Sequence, residues 1–249
     1  MNARTQLLVL NLLGVVVFLA LWQLIGVNRW AGLTWPPLTD VVALLFNPSK
    51  TQLFVRAASA TFGVVLVGYV AGGLAGIALG MLAHVVSILR PGLDRLVSVV
   101  HAIPLIALAP LFIVLMDRDT TPIAISALGV FYLFYVSTTS GLAASSMAHR
   151  DLFRVLGASS AMRLLRLDLP AAFPALASSM KLAIPVAFIG SIVGEWFGAS
   201  RGLGLLMVSA MQNFQIPLLW SAVFIAACAS LAGFALMSTI EKLAYRRFA

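Results

Sequence analysis

The chain has 249 residues, 61% of them hydrophobic and only 10% charged, with a mean hydropathy of +1.04. A soluble domain carries about 25% charged residues, so sixteen basic and eight acidic side chains cannot wet the surface of a water-soluble chain this long. The net charge of +8 is scattered singly between apolar runs, without the basic stripe and interleaved aromatics of a nucleic-acid binder. Lipid is therefore the solvent for much of the chain. The expected class is an all-α polytopic membrane protein with no nucleic-acid partner.

Six stretches reach the roughly 20 apolar residues of a spanning helix: Leu7–Val27, Thr61–Val86, Leu96–Met116, Pro122–Ala144, Leu176–Phe197 and Pro217–Ile240. The first is longer than a signal-peptide core and no A-x-A-like site follows it, so it reads as a retained helix. With the N-terminus inside, Arg4, Arg90, Arg95, Arg150, Arg154, Arg163, Arg166, Lys181, Lys242, Arg246 and Arg247 face the cytoplasm. Arg29, Lys50, Arg56, Arg118 and Arg201 face outward. Eleven against five is the positive-inside asymmetry, and it predicts both termini inside.

Two segments do not span. The outer one, from Asn28 to about Ala60, opens with Trp35-Pro36-Pro37, which excludes an ordinary helix interior. Short interfacial helices are expected over Val41–Phe46 and Gln52–Ala58, with Trp30 and Trp35 at the headgroup level. The inner one, about Ser145–Pro174, is the most polar stretch. It reads as two short amphipathic helices, with Gly157 ending the first and Ser159 or Ser160 capping the second.

The second span carries Gly68, Gly72, Gly76 and Gly80, every fourth residue. This spacing lays a bare groove along one face, where a neighbouring backbone can approach closely. The sequence leaves open whether that neighbour belongs to the same chain. Pro104 and Pro110 interrupt the third span, and each deletes a helical hydrogen bond. Such breaks are tolerated where protein or water lines the backbone, which makes Pro104, Pro110 and the near-terminal acid Glu195 pore or gate candidates.

Some chemistry is missing. No lysine completes G-x-x-x-x-G-K-[ST], so any ATP is bound by another chain, and no cofactor is expected in this one. Cys228 is the single cysteine, and His84, His101 and His149 are far apart; neither a disulfide nor a metal site is expected. No catalytic grouping of Ser, His and acid sits within a span. Ion-coupled carriers place charges at mid-membrane, but here only Glu195 and Lys181 come near, both close to segment ends. An ion-coupled carrier and a non-transport assembly or signalling subunit remain the alternatives.

The inner segment runs Asp151-Leu152-Phe153-Arg154-Val155-Leu156-Gly157-Ala158 and on to Leu167-Asp168-Leu169-Pro170. It resembles the EAA loop of ABC importer permeases, E-A-A-x3-G-x9-I-x-L-P. Asp151 stands for the Glu, Gly157 for the glycine, Leu167 for the Ile, and Leu169-Pro170 complete the motif; Leu152 and Phe153 depart from the Ala pair. Trp35-Pro36-Pro37-Leu38-Thr39-Asp40, His101-Ala102-Ile103-Pro104 through Leu111, and Glu195–Ser200 with Gly202-Leu203-Gly204 are similar to stretches of the nitrate, sulfonate, taurine and thiamine-precursor group of these permeases. Met116–Thr120 departs from that group.

The resemblance implies a type I importer permease in the bacterial cytoplasmic membrane. Residues 1–60 would form the first spanning helix and an external interfacial segment. Residues 61–249 would form a five-helix core with the coupling loop at about 145–174. The implied partners are a pair of ATPase subunits, a second permease copy, a periplasmic or extracellular solute-binding protein and membrane lipid. Asp151, Arg154, Leu156, Gly157, Leu167, Leu169 and Pro170 would couple to the ATPase, whose closure drives alternating access. Val155, Leu156, Leu164 and Leu165 suit either a partner groove or packing on the spans. Arg154, Arg163 and Arg166 suit either partner carboxylates or lipid headgroups.

The topology is tested by single cysteines at Ala148 and Thr120 in a Cys228-free background. Impermeant reagent added outside should label position 120 and spare position 148; the reverse pattern would invert the orientation.

Overall fold

The computed structural model describes residues 3–248, with side chains for residues 5–7 and 9–243. The side chains of Arg4, Arg246 and Arg247, counted above in the inner set, lie outside the described residues. All the regular elements described are helical. They are α1 (Ala3–Val27), a 3-10 turn (Gly32–Thr34), α2 (Leu38–Leu45), α3 (Pro48–Val85), α4 (Arg90–Ala102), α5 (Leu105–Leu115), α6 (Thr121–Leu142), α7 (Met147–Val155), α8 (Ser160–Arg163), a π turn (Leu164–Asp168), α9 (Leu169–Trp196), α10 (Leu203–Gln212) and α11 (Ile216–Phe248). Five helices are long and apolar enough to cross a membrane, and the α4–α5 pair is a sixth if it counts as one bent span.

Local chemistry sets the boundaries. α2 follows Pro36-Pro37 and fulfils the expectation of a helix near Val41–Phe46. α3 begins with Asn47 accepting from the Ser49 N–H at 3.0 Å and with Pro48 in the first turn, where its missing N–H costs nothing. It then runs unbroken for 38 residues. The short helix expected over Gln52–Ala58 is thus the beginning of α3, because no glycine or proline lies between Lys50 and Phe62 to stop it. The third span is more than kinked. Ile103, held extended before Pro104, ends α4, and α5 restarts at an angle of 94°. Pro110 sits inside α5. The fifth span also differs: its helix is continuous from Ser160 to Trp196, so it starts well before Leu176. α10 was not anticipated.

The centre is a three-helix slab with α6 in the middle. α3 lies parallel to it, and the four spaced glycines are the contact. A Cβ at Gly68 would lie 2.5 Å from Ser126 Oγ, one at Gly76 2.5 Å from the Phe131 carbonyl oxygen, and one at Gly80 2.7 Å from Thr138 Cβ; at Gly72 it would overlap the Ala127 carbonyl. The partner of the groove is therefore α6 of the same chain. α9 runs antiparallel on the other side. Gly190 meets Ser126, Gly194 meets Pro122, and Gly141 of α6 meets Ala172. Ser126 Oγ donates to the Ala187 carbonyl at 3.0 Å. Val65, Val130, Phe134, Ala183, Ala187 and Phe188 fill the seams.

The remaining helices attach to this slab. α10 and α11 pack on the first half of α3 through Phe54, Leu203, Met207, Leu218 and Ala222. Glu241 of α11 accepts from Lys181 Nζ at 2.6 Å and from Ser178 Oγ at 2.8 Å on α9. α1 is largely exposed, apart from its end. There Trp22, Trp35 and Trp220 meet in edge-to-face and tilted contacts with centroids 4.8–5.5 Å apart. Trp22 Nε1 donates to the Pro36 carbonyl at 3.1 Å, and Trp220 Nε1 to that of Thr34 at 3.0 Å. Trp35, expected at the headgroups, belongs to this cluster, whereas Trp30 is exposed.

The close approach of α3 and α6 makes a prediction. Gly72→Leu should lower stability by about 1–3 kcal/mol, the range for overpacking a filled site. Gly63→Ala, on the same helix with nothing within 4 Å of the added carbon, should be neutral or slightly stabilising. Thermal unfolding of the purified variants in detergent checks both, and equal midpoints for the two would refute the contact.

Candidate functional site

Two polar assemblies lie at opposite ends of the slab. At one end is the loop between α6 and α9. Ser146 Oγ accepts from the His149 N–H at 3.3 Å and starts α7. α7 closes with Gly157 at φ +70°: the Gly157 N–H bonds the Arg154 carbonyl and the Ala158 N–H that of Phe153, both at 3.0 Å. This is the glycine-terminated helix end. Two residues later Ser159 Oγ accepts from the Met162 N–H at 3.2 Å and starts α8. Both caps fall where the sequence placed them.

The turn between the caps is exposed and apolar. Val155 is 84% and Leu156 71% accessible. A shallow concavity of about 430 Å³ is lined by Phe153, Leu156, Gly157, Ser159, Met162 and Arg166. Of the predicted coupling residues, the structure brings Leu156 and Gly157 together here. Asp151 pairs with Arg154 at 3.1 Å within α7; both are exposed, so the pair contributes only about 0–1 kcal/mol. Leu167 in the π turn and Leu169 at the start of α9 are half-buried, and Pro170 is exposed. The π turn precedes Pro170, which has no N–H to offer the Arg166 carbonyl and whose ring would crowd it; the Leu169 N–H bonds back to Leu164 instead.

Sequence reasoning missed the acid in that motif. Asp168 is 1% accessible. Its Oδ2 is 3.1 Å from His84 Nε2 of α3, and its Oδ1 accepts from Ser145 Oγ at 2.8 Å. Arg163 Nε lies 3.5 Å from Oδ2, an ion pair without a hydrogen bond. Arg150 donates to Ser145 Oγ at 2.7 Å and to the Leu142 carbonyl at 3.3 Å. His84 was set aside as isolated, since 84 residues separate it from its partner. The only cue was an acid within an otherwise apolar motif.

At the other end is Glu195, 0% accessible. Thr61 Oγ1 donates to its carboxylate at 2.8–3.0 Å, the Gly204 N–H at 2.7 Å and Ser191 Oγ at 3.4 Å. Thr61 Oγ1 in turn accepts from the Leu203 N–H at 2.8 Å. The carboxylate thus satisfies the first turn of α10, where a negative charge is favoured. Gly202, at φ +137°, leads into that turn; any Cβ there would overlap the Glu195 carboxyl.

Beside this assembly is a vestibule of about 910 Å³, whose lining includes Arg56, Ser59, Asp119, Arg201, Gly202 and Ser209. Ser200 donates to Asp119 Oδ1 from Oγ at 2.6 Å and from N at 3.3 Å. These bonds, aided by Arg201, hold the Asp119 carboxyl below its ordinary range. The contact is therefore present at neutral pH and lost as pH falls through that lowered value. None of the three pore or gate candidates lines this vestibule. Glu195 does not face the vestibule; it anchors the turn that does. Pro104 and Pro110 are not part of its lining.

Glu195→Ala should leave the Gly204 N–H and the Thr61 hydroxyl buried without their acceptor, at about 1–3 kcal/mol for each. Glu195→Gln, which keeps an acceptor, should cost less. Unfolding midpoints of the two variants check the order, and an unchanged midpoint for Glu195→Ala would refute the anchoring role.

Comparison with known proteins agrees with this geometry. Residues 68–249 match the family model for the binding-protein-dependent transport system inner membrane component. The chain is 29% identical over 193 residues to the formylaminopyrimidine transport permease protein ThiX of Halalkalibacterium halodurans, covering 77% of each. It is 27% identical to the putative aliphatic sulfonates transport permease protein SsuC of Bacillus subtilis, over 86% of this chain and 79% of that one. A solved inward-facing structure of the MetNI methionine ABC transporter superposes with a TM-score of 0.70 at 18% identity, covering 80% of this chain and 99% of the other; this shows the shared fold. Spans, loop and family match converge: the chain belongs to the binding-protein-dependent transport inner membrane components, the permeases of ABC importers.

Proposed function

We propose that this permease works as a homodimer on a pair of ATPase subunits, with both termini and the α7–α8 loop in the cytoplasm, and takes its solute from a binding protein outside. The observation that carries this reading is the doubly capped loop. Its apolar side chains Leu152, Val155 and Leu156 are exposed, and their i, i+3, i+4 spacing matches a partner-docking helix. The chain has no phosphate-binding loop of its own, so hydrolysis falls to the partner. ATPase closure would displace the loop and switch the slabs of the two copies between inward- and outward-open arrangements.

The proposed substrate is a small anion such as a sulfonate, taurine or nitrate, or else a thiamine-type precursor. Arg56 and Arg201 outnumber the one carboxylate, Asp119, in the vestibule lining, and this net positive charge supports an anion by raising its local concentration. ThiX and SsuC are named for different solutes, which supports placing selectivity largely in the binding protein. An ion-coupled carrier is not favoured: Glu195 is fully buried and committed to α10.

Gly157 gives the test. No atom lies within 4 Å of a Cβ built there, so any penalty comes from the positive φ alone. For a β-branched side chain that is about 1–2 kcal/mol or more, roughly tenfold in the population of the correct turn. Gly157→Val should insert normally yet lose most ATP-driven import in proteoliposomes, whereas Gly157→Asn, which tolerates this conformation, should keep it. Deleting 151–158 should abolish ATPase pull-down. Full import by Gly157→Val, with ATPase binding intact in the deletion, would refute the coupling role.

A further inference from the structure

α3 is joined at both ends to the Ser160–Trp196 helix through a buried carboxylate, Asp168 of the π turn and Glu195 of α9, and between them Tyr69 donates to the Met180 carbonyl at 2.9 Å. Glu195 takes the Thr61 hydroxyl at one end, and Asp168 takes His84 at the other. His84 and Thr61 are about 35 Å apart along α3, and Asp168 and Glu195 about 40 Å apart along the Ser160–Trp196 helix, at the rise of an α-helix. α6 is held between these rods by backbone contact. The slab is thus clamped at both ends, and the clamp at the loop end includes the loop itself.

The joint between loop and slab has a weak backbone. The helix from Ser160 to Trp196 passes through the π turn at Leu164–Asp168 and then Pro170 and Pro174. π turns and missing N–H donors are where helices bend. What crosses this joint is the side-chain network on Asp168. It reaches α3 through His84, the α6–α7 connection through Ser145 and α8 through Arg163. Arg150 extends it from α7 to the Leu142 carbonyl at the end of α6. Arg163 Nε is buried without a hydrogen bond, so the Asp168 charge is what offsets it there. α8 and the α6–α7 connection are tied to α3 through this one carboxylate, while α7 is tied both through it and by the direct bond from Arg150 to the Leu142 carbonyl.

We infer that Asp168 is the positioning residue that passes displacement of the α7–α8 loop to α3 and α6, with His84 and Ser145 as its two contacts on the slab side. This rests on the ATPase-coupled reading above. Without the network, the ATPase still docks on the apolar turn and hydrolyses ATP, but the loop swings at the π turn and Pro170 without carrying the slab.

The experiment uses the full permease with its ATPase and binding protein in proteoliposomes. It measures ATPase pull-down, ATP hydrolysed and solute imported. His84→Ala should bind the ATPase as the wild type does and hydrolyse ATP at a comparable rate. Its ATP hydrolysed per solute should rise roughly tenfold, the change for about 1.4 kcal/mol of lost coupling. His84→Gln, which keeps a donor for the carboxylate, should restore most of the ratio, and Ser145→Ala should raise it as His84→Ala does. If His84→Ala does not assemble, the Ser145→Ala ratio decides in its place. Hydrolysis and import falling together, loss of ATPase binding, an unchanged ratio, or no rescue by Gln would each overturn the assignment. A wild type that imports without ATP would instead overturn the coupled reading itself.

Discussion

The constraint on which the rest depends is the approach of three helix backbones to contact distance. Lipid tails solvate apolar side chains as well as a neighbouring helix does, so burial alone does not hold spans together. Dispersion between closely fitted surfaces does, and it falls steeply with separation. Gly72 and Gly76 let α3 lie against the carbonyl oxygens of α6, while Gly190 and Gly194 let α9 lie against the α6 backbone at Ser126 and Pro122. With α6 gripped on both sides, α3 and α9 are held at a fixed spacing and register, and only then can side chains from distant parts of the chain meet.

The polar contacts follow from that register. A buried carboxylate is costly unless its lone pairs are satisfied. Glu195 and Asp168 are tolerable because the slab brings Thr61, His84 and Ser145 to them at hydrogen-bond distance. Each also completes something irregular. Glu195 terminates the free N–H groups of α10, beside a glycine that admits the carboxyl. Asp168 secures the segment where a π turn and Pro170 have loosened the helix. Polar groups therefore stand where the helical backbone cannot satisfy itself, at the two ends of the slab where the loop and the vestibule are attached.

Local signals were legible wherever local chemistry decides the outcome. The two caps around Gly157 depend on residues within five positions of each other, and both were readable. So was the break at Pro104, although not its size: proline forbids the helix at Ile103, but the 94° between α4 and α5 is set by what each half packs against. Boundaries were misplaced where no breaker stood, as after Lys50, and where prolines did not stop the helix, as at Pro170 and Pro174. Gln52–Ala58 merged into α3, and the helix expected to begin at Leu176 reached back to Ser160. α10 escaped notice because a helix of only ten residues, most of them apolar, after a glycine-rich turn carries no spanning-length signal.

The sequence by itself determined the solvent, the helical class, the number of apolar segments and the turn that presents Val155 and Leu156. Each of these follows from composition or from neighbours along the chain. It also carried the glycine groove, though not the identity of its partner. Tertiary structure alone decided that α6 fills the groove, that Glu195 is anchored away from the vestibule, and that His84 meets Asp168. Those outcomes turn on the burial of a side chain among residues 84 or 134 positions away. Whether a lone acid or histidine in an apolar stretch is solvated, paired or buried is written in the packing of the slab, and no periodicity within its own helix encodes it.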